Sequence, residues 1–132
     1  MSTISSVLDA SALLAFLFRE RGAGDFVAKA GPRPAMSAVN WGEVSQKSSS
    51  HGVDRSRLRS MVTAAGLEII DLTPDRAERM ADLWPVTRPL GLSLADRACL
   101  ALALELRLSA VTADRTWTRL DEVEGLLVHC LR

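Results

Sequence analysis

The chain has 132 residues, 48% of them hydrophobic and 24% charged, which places it with single globular domains and outside the disordered class. Lys+Arg and Asp+Glu each number 16, so the formal net charge is zero. That balance excludes a histone-like or tail-driven nucleic-acid binder, which carries a strong basic excess, but it leaves nucleic acid open as a substrate.

Ile4 to Leu8 is short, partly β-branched and closed by Asp9, and predicts a first strand. Ser11 to Phe18 follows as an apolar helix, and Gly22 to Ala30 as a second, short one. Gly31-Pro32-Arg33-Pro34 punctuates the chain, leaving Pro34 to Met36 as a short strand. Ser37 caps a helix running toward His51, which Gly52 ends. Asp54 caps the next helix, to about Ala65, with Leu58, Met61 and Val62 on one face. Gly66 stops it, and Leu67 to Ile70 is a strand. Thr73-Pro74-Asp75 starts a helix with a cap, a proline at the first position and an acid in the first turn, ending before Pro85. Pro89 to Leu92 reads as loop, and Ser93 caps a long helix to about Leu106. Ser109 to Thr112 is a buried strand, Trp117 to Leu120 a short helix, and Leu126 to Cys130 the last strand.

This alternation predicts an α/β fold spanning residues 1–132 as one domain: a three-layer α/β/α sandwich with a central, mostly parallel sheet. Two cysteines, Cys99 and Cys130, are too few for a disulfide framework; each lies in an apolar stretch and reads as a buried thiol, as expected of a cytoplasmic protein. The N-terminus lacks the basic start of a signal peptide, and the apolar runs interrupted by Asp9, Arg19 and Glu105 fall short of the ~20 residues a membrane helix needs.

Parallel sheets carry their sites at the carboxyl ends of the strands. Asp9 follows the first strand and Asp114 the strand ending at Thr112, so both belong to one sheet edge. Glu43 lies about two turns into the helix capped by Ser37, and Asp96 in the first turn of the helix capped by Ser93. Four converging carboxylates need compensation, and Mg²⁺ or Mn²⁺ bound by oxygen ligands is the usual form of it. Taken singly, each acid has a plainer reading. Asp9 can cap the following helix, Asp96 completes the capping box Ser93-Leu-Ala-Asp96, Glu43 can be a solvated helix residue, and Asp114 a turn residue.

The segments around these acids resemble the motifs of the PIN-domain ribonucleases. They are Val7-Leu-Asp9-Ala-Ser11-Ala-Leu-Leu, Ser37-Ala-Val-Asn40-Trp-Gly-Glu43-Val, Gly91-Leu-Ser-Leu-Ala-Asp96-Arg-Ala-Cys-Leu-Ala and Val111-Thr-Ala-Asp114-Arg-Thr-Trp117. All four occur in the family's order, and their wording is most similar to the VapC toxins of type II toxin–antitoxin systems. The resemblance implies Mg²⁺- or Mn²⁺-dependent endoribonuclease activity, with water as nucleophile and 5′-phosphate and 3′-hydroxyl products. By it, Asp9 and Asp96 are the principal metal ligands, and Glu43 and Asp114 bind directly or through water. Ser11 and Thr112 are expected to donate hydrogen bonds in the pocket, and Asn40, at i, i+3, to orient Glu43, unless all three are local caps and strand-end hydroxyls. Arg97 and Arg115, each following a pocket acid, are expected to reach RNA phosphate, or else to pair with surface carboxylates.

The family further implies a homodimer and a VapB-like antitoxin whose C-terminal segment covers a groove beside the pocket. Trp41, Leu13, Leu14, Phe16 and Leu17 are candidates for that groove, while Trp84 and Trp117 read as core or packing residues. Two other acid-bearing parallel folds fail on residues. A phosphoacceptor receiver domain needs a late lysine, and none follows Lys47; a haloacid-dehalogenase-like phosphatase needs two aspartates flanking one residue, where Asp9-Ala-Ser11 has one. A PIN nuclease of RNA maturation without an antitoxin, and a catalytically inactive PIN-fold binding module, stay open as alternatives. The four retained acids speak against the second.

Overall fold

The computed structural model describes residues 3–121 and 123–132. Five strands form one sheet: β1 (Ser6–Leu8), β2 (Pro34–Ser37), β3 (Glu68–Ile70), β4 (Ala110–Thr112) and β5 (Val128–Cys130). Their spatial order is β3-β2-β1-β4-β5, and every neighbouring pair is parallel. Seven α-helices connect them: α1 (Ala10–Leu17), α2 (Phe26–Ala30), α3 (Ala38–Ser50), α4 (Arg55–Ala64), α5 (Pro74–Asp82), α6 (Trp84–Thr87) and α7 (Leu94–Leu106). The expected three-layer α/β/α sandwich is therefore what the chain forms.

Burial on both faces of the sheet follows from the pleat, which sends successive residues to opposite sides. Leu8 and Val111 join Leu13 of α1, Phe26 of α2, Val44 of α3 and Leu58 and Val62 of α4 in one core. Val7 and Ala110, their neighbours in sequence, face Cys99, Leu100 and Ala103 of α7, with Trp117 beside them, in another. A smaller cluster of Met80, Ala98 and Ala101 seats α5 on α7.

The helix starts are encoded locally. Ser37, Asp54, Thr73 and Ser93 each cap the helix that follows by accepting backbone N–H bonds. Gly66, at φ +110°, joins α4 to β3 where a Cβ would stand 2.3 Å from the Pro32 carbonyl oxygen, so the crossover needs glycine.

Several sequence expectations shift. Residues 22–30 split into a 3₁₀ turn at Ala23–Asp25 and the short α2, and a 3₁₀ turn at Arg115–Arg119 replaces the helix predicted at Trp117 to Leu120. Helix α6 was not anticipated, because Pro85 reads as a stop; it sits in the helix's first turn, where its missing N–H costs nothing. Trp117 is fully buried, but Trp84 is 49% exposed, with the Arg88 guanidinium 5.0 Å over its ring, and is not a core residue. Both cysteines are free thiols; Cys99 is buried and Cys130 only partly so. Among the described residues no helix is long and apolar enough to cross a membrane.

Candidate active site

The strand order reverses its direction of growth at β1: β2 and β3 are added on one side, β4 and β5 on the other. Such switch points open a crevice at the carboxyl ends of the strands. Here the chain leaves β1 at Asp9 and β4 at Ala113-Asp114, and the Asp9 amide donates to the Val111 carbonyl at 3.1 Å, so the two exits lie side by side. A cleft of about 610 Å³ opens there, lined by Asp9, Ser11, Glu43, Asp96 and Asp114, with Ala10, Leu14, Gln46, Lys47 and Ser50. The four acids picked from the sequence are thus brought to one cavity.

Asp9 is the buried member, 4% exposed. Its Oδ1 accepts the Ala12 amide at 2.8 Å, which caps α1, and its Oδ2 accepts the Thr112 hydroxyl at 2.6 Å. The Ser11 hydroxyl stands 2.9 and 2.8 Å from the two oxygens and itself accepts the Ala113 amide at 2.9 Å. Burial raises the Asp9 carboxyl from 3.8 to about 6; the bonds from Thr112, Ala12 and Ser11 hold it down in part, and the Asp96 charge adds to the rise.

Glu43 is exposed, and its Oε1 accepts from Asn40 Nδ2 at 3.0 Å. Asn40, 1% exposed, also donates to the Ala95 carbonyl at 2.9 Å, joining α3 to the first turn of α7 beside Asp96. Asp96 closes the capping box: its Oδ2 accepts the Ser93 amide at 2.8 Å while its own amide donates to Ser93 Oγ at 3.1 Å. Asp114 Oδ1 accepts the Thr116 amide at 2.9 Å.

The capping and catalytic readings of these acids are therefore compatible. Asp96 and Asp114 each engage one oxygen locally, as Glu43 does through Asn40. Asp96 Oδ1, Asp114 Oδ2 and Glu43 Oε2 accept no bond among the described residues. None of the four acids has an ion-pair partner within 4.0 Å among the described residues; the ion pairs join Arg33 to Glu68, Arg76 and Arg79 to Glu105, and Arg132 to Glu20. Beneath them lies Cys99, whose thiol is pushed well above its usual range by burial and by the charges of Asp9, Asp96 and Glu43.

Ser11, Asn40 and Thr112 stand where the sequence reading put them, each bonded to a pocket acid. Arg97 does not: its Nη1 donates to the Met80 carbonyl at 3.0 Å, tying α7 to α5, and it does not line the cleft. Adjacent helix residues project about 100° apart, so the neighbour of an inward acid turns elsewhere. Arg115 is exposed and also lies outside the cleft lining. Three polar lining residues were missed: Gln46, Lys47 and Ser50. They fall three, four and seven residues after Glu43, so helical spacing from that acid would have found them.

The expected apolar groove separates into two environments. Leu14 lines the acidic cleft, and Trp41 packs against the core. Leu13, Phe16 and Leu17, on another side of α1, line a second cavity of about 310 Å³ with Phe26, Val27 and Met61.

A family model described as PIN domain matches residues 6–123. A toxin–antitoxin complex from Klebsiella pneumoniae has a similar structure, with a TM-score of 0.71 at 23% identity over 93% of this chain and 96% of that one. VapBC-5, a member of the VapBC family of toxin–antitoxin systems from Mycobacterium tuberculosis, gives a TM-score of 0.65 at 22% identity, covering 97% of this chain and 99% of that one. DNA-bound VapBC from Salmonella typhimurium gives 0.69 at 15% identity, covering 98% and 100%. At these identities the likeness is one of fold. No curated protein sequence matches the chain significantly.

Proposed function

The chain belongs to the PIN-domain family, and from that premise we propose that it is a Mg²⁺- or Mn²⁺-dependent endoribonuclease acting as the toxin of a toxin–antitoxin pair. The observation that carries the reading is that four carboxylates around one cleft have no ion-pair partner among the described residues, in a chain with 16 Lys+Arg. A buried carboxylate left without compensation is costly, and a hard divalent cation with oxygen ligands is the compensation that fits this donor set. Among the described residues no three acids are gathered tightly enough to hold an ion as they stand, so in this reading a bound cation would require the side chains of Glu43, Asp96 and Asp114 to move inward. Asp9 and Asp96 are the principal ligands in this reading, with Glu43 and Asp114 binding directly or through water.

When bound, the cation supplies Lewis-acid activation of water and of the phosphodiester. The chain's own residues do the rest. Ser11, Thr112 and the Ala12 amide fix the Asp9 carboxylate, and Asn40 fixes Glu43. The caps made by Asp96 and Asp114 engage one oxygen of each, and the other accepts no bond among the described residues. Attack of water on phosphorus then leaves a 5′-phosphate and a 3′-hydroxyl.

The second cavity supports a protein partner. Phe16, Val27 and Met61 are 42%, 67% and 57% exposed, an apolar surface suited to an antitoxin's amphipathic segment. That surface favours the toxin reading over an RNA-maturation nuclease without an antitoxin, or an inactive binding module. We place the protein in the cytoplasm, as a homodimer joined by its VapB-like antitoxin.

The test is incubation of the purified chain with a pool of structured RNAs in Mn²⁺ or Mg²⁺, followed by mapping of the ends. Cleavage with 5′-phosphate products, suppressed by the protein encoded next to this gene, is expected. Intact RNA under every condition contradicts the reading.

A further inference from the structure

We propose that Lys47 binds the RNA phosphate next to the scissile one, so that the strand runs from the four acids along α3, with Gln46 beside it. The proposal rests on the cleft being an RNA-cleaving site and adds the direction in which the substrate lies.

The cleft does not end at the carboxylates. It continues along α3 past Gln46, Lys47 and Ser50, opposite Leu14 of α1. Glu43, Gln46, Lys47 and Ser50 share one helix face, and the rise from Glu43 to Lys47 is about 6 Å. That is on the order of the distance between neighbouring phosphates of an extended strand. Lys47 is the one cationic side chain among the residues lining the cleft, and one of only two lysines in the chain.

Glu43 and Lys47 stand at i, i+4 with the acid first, the arrangement in which a helical ion pair normally forms. No ion pair within 4.0 Å joins them. The Glu43 carboxylate is held instead by Asn40, at 3.0 Å. Among the described residues Lys47 has no ion-pair partner, while standing in the same cavity as four acids.

The platform beneath Lys47 is also held. Its carbonyl accepts the Ser50 hydroxyl at 2.7 Å and lies 2.9 Å from His51 Nδ1, while the His51 ring packs on Phe18 at the end of α1 with centroids 4.7 Å apart. Ser50 spends its proton on that bond, which leaves Lys47 and the Gln46 amide as the donors of this wall. Leu14 opposite is apolar and suits a base rather than a phosphate. A cleft with phosphate donors on one side and an apolar wall on the other fits an unpaired strand, whose bases are splayed out, better than a duplex.

The test has two arms. In the first, kinetics with a single-stranded RNA in Mn²⁺ compare the wild type with Lys47→Ala, Lys47→Arg and Lys29→Ala. Lys47→Ala is expected to raise KM about tenfold with kcat within about twofold, as for loss of one charge-assisted bond made equally before and during reaction. Lys47→Arg retains the wild-type KM, and Lys29→Ala, on α2, changes nothing. In the second, fluorescence anisotropy follows the same labelled RNA binding to Asp96→Asn without divalent metal. Adding Lys47→Ala is expected to flatten the salt dependence of log K by about 0.7, the share of one phosphate on a single strand. Unchanged KM and an unchanged salt slope overturn the Lys47 proposal while cleavage by the wild type still stands. A wild type that cleaves no RNA overturns the underlying reading of the cleft instead.

Discussion

Thr112 Oγ1 lies 2.6 Å from Asp9 Oδ2 and donates to it, while the same oxygen accepts the Asp114 amide at 3.0 Å. One hydroxyl at the end of β4 thus fastens two of the four acids to each other across the switch point of the sheet. Thr112 is fully buried, so neither bond competes with bulk water. Thr112→Val keeps the shape and removes both bonds. It is expected to destabilise the fold by about 1–3 kcal/mol in urea unfolding. Because the lost donor favours the ionised carboxylate, Asp9 should titrate higher, and the acid limb of the activity profile should move to higher pH. Thr112→Ser should restore both. A valine variant with wild-type stability and profile contradicts this role.

Asp9 makes the metal-free protein pH-sensitive in an unusual direction. Its carboxyl is raised from 3.8 to about 6 in the fold, mainly by burial. Between those values the folded state holds a proton that the unfolded chain has released, so stability falls as pH rises. Asp9's contribution is fully present below about 3.8 and lost above about 6, a change on the order of 3 kcal/mol. Urea unfolding in EDTA from pH 4 to 8 should show the wild type losing stability relative to Asp9→Asn over that window. Parallel curves for the two proteins contradict it. Millimolar Mn²⁺ should recover the loss at pH 7.5 in the wild type and not in the variant.

Asn40 is the link between Glu43 and the start of α7. Asn40→Ala removes both of its bonds from a buried position and is expected to cost about 1–3 kcal/mol. Calorimetric titration should show Mn²⁺ affinity falling by about 10- to 100-fold, as for other residues that orient metal ligands. Asn40→Asp should be worse than alanine, since it sets a second carboxylate against Glu43. Unaltered Mn²⁺ affinity in both variants contradicts the orienting role.

Glu105 serves stability and not the site. It takes a two-pronged bond from Arg76, at 3.2 and 3.0 Å, and a third from Arg79 at 2.7 Å, clamping α5 to α7. The Arg76 bond holds its carboxyl below 4.5, so its contribution is present above the unfolded value and lost as pH falls below it. Glu105→Gln is expected to lower stability by roughly 1–2 kcal/mol at pH 7 and to leave RNA cleavage unchanged. A variant as stable as the wild type at pH 7 contradicts the clamp.

Much of this architecture is legible in the sequence because it is encoded locally. Ser37, Asp54, Thr73 and Ser93 announce their helices through side chains that cap within three residues. The acids at Asp9 and Asp114 follow from strands that end just before them. What was not legible depends on projection and on distant neighbours. Arg97 looks like a phosphate ligand because it adjoins Asp96, yet the helix turns it toward Met80. Trp84 looks like core, yet it is 49% exposed, with the Arg88 guanidinium over its ring. Lys47 is legible only through its i, i+4 spacing from Glu43; its relation to Asp9 exists only after α3 packs on α1.

The central claim is that the four carboxylates form a divalent-cation site that cleaves RNA, and the most direct measurement is the cleavage rate of one labelled RNA against Mn²⁺ concentration for the wild type and Asp96→Asn. The wild-type rate should rise and saturate with Mn²⁺ and vanish in EDTA. The folded Asp96→Asn protein should stay at least about 100-fold slower at every concentration. Equal rates for the two proteins, or wild-type cleavage that persists in EDTA, would contradict the account.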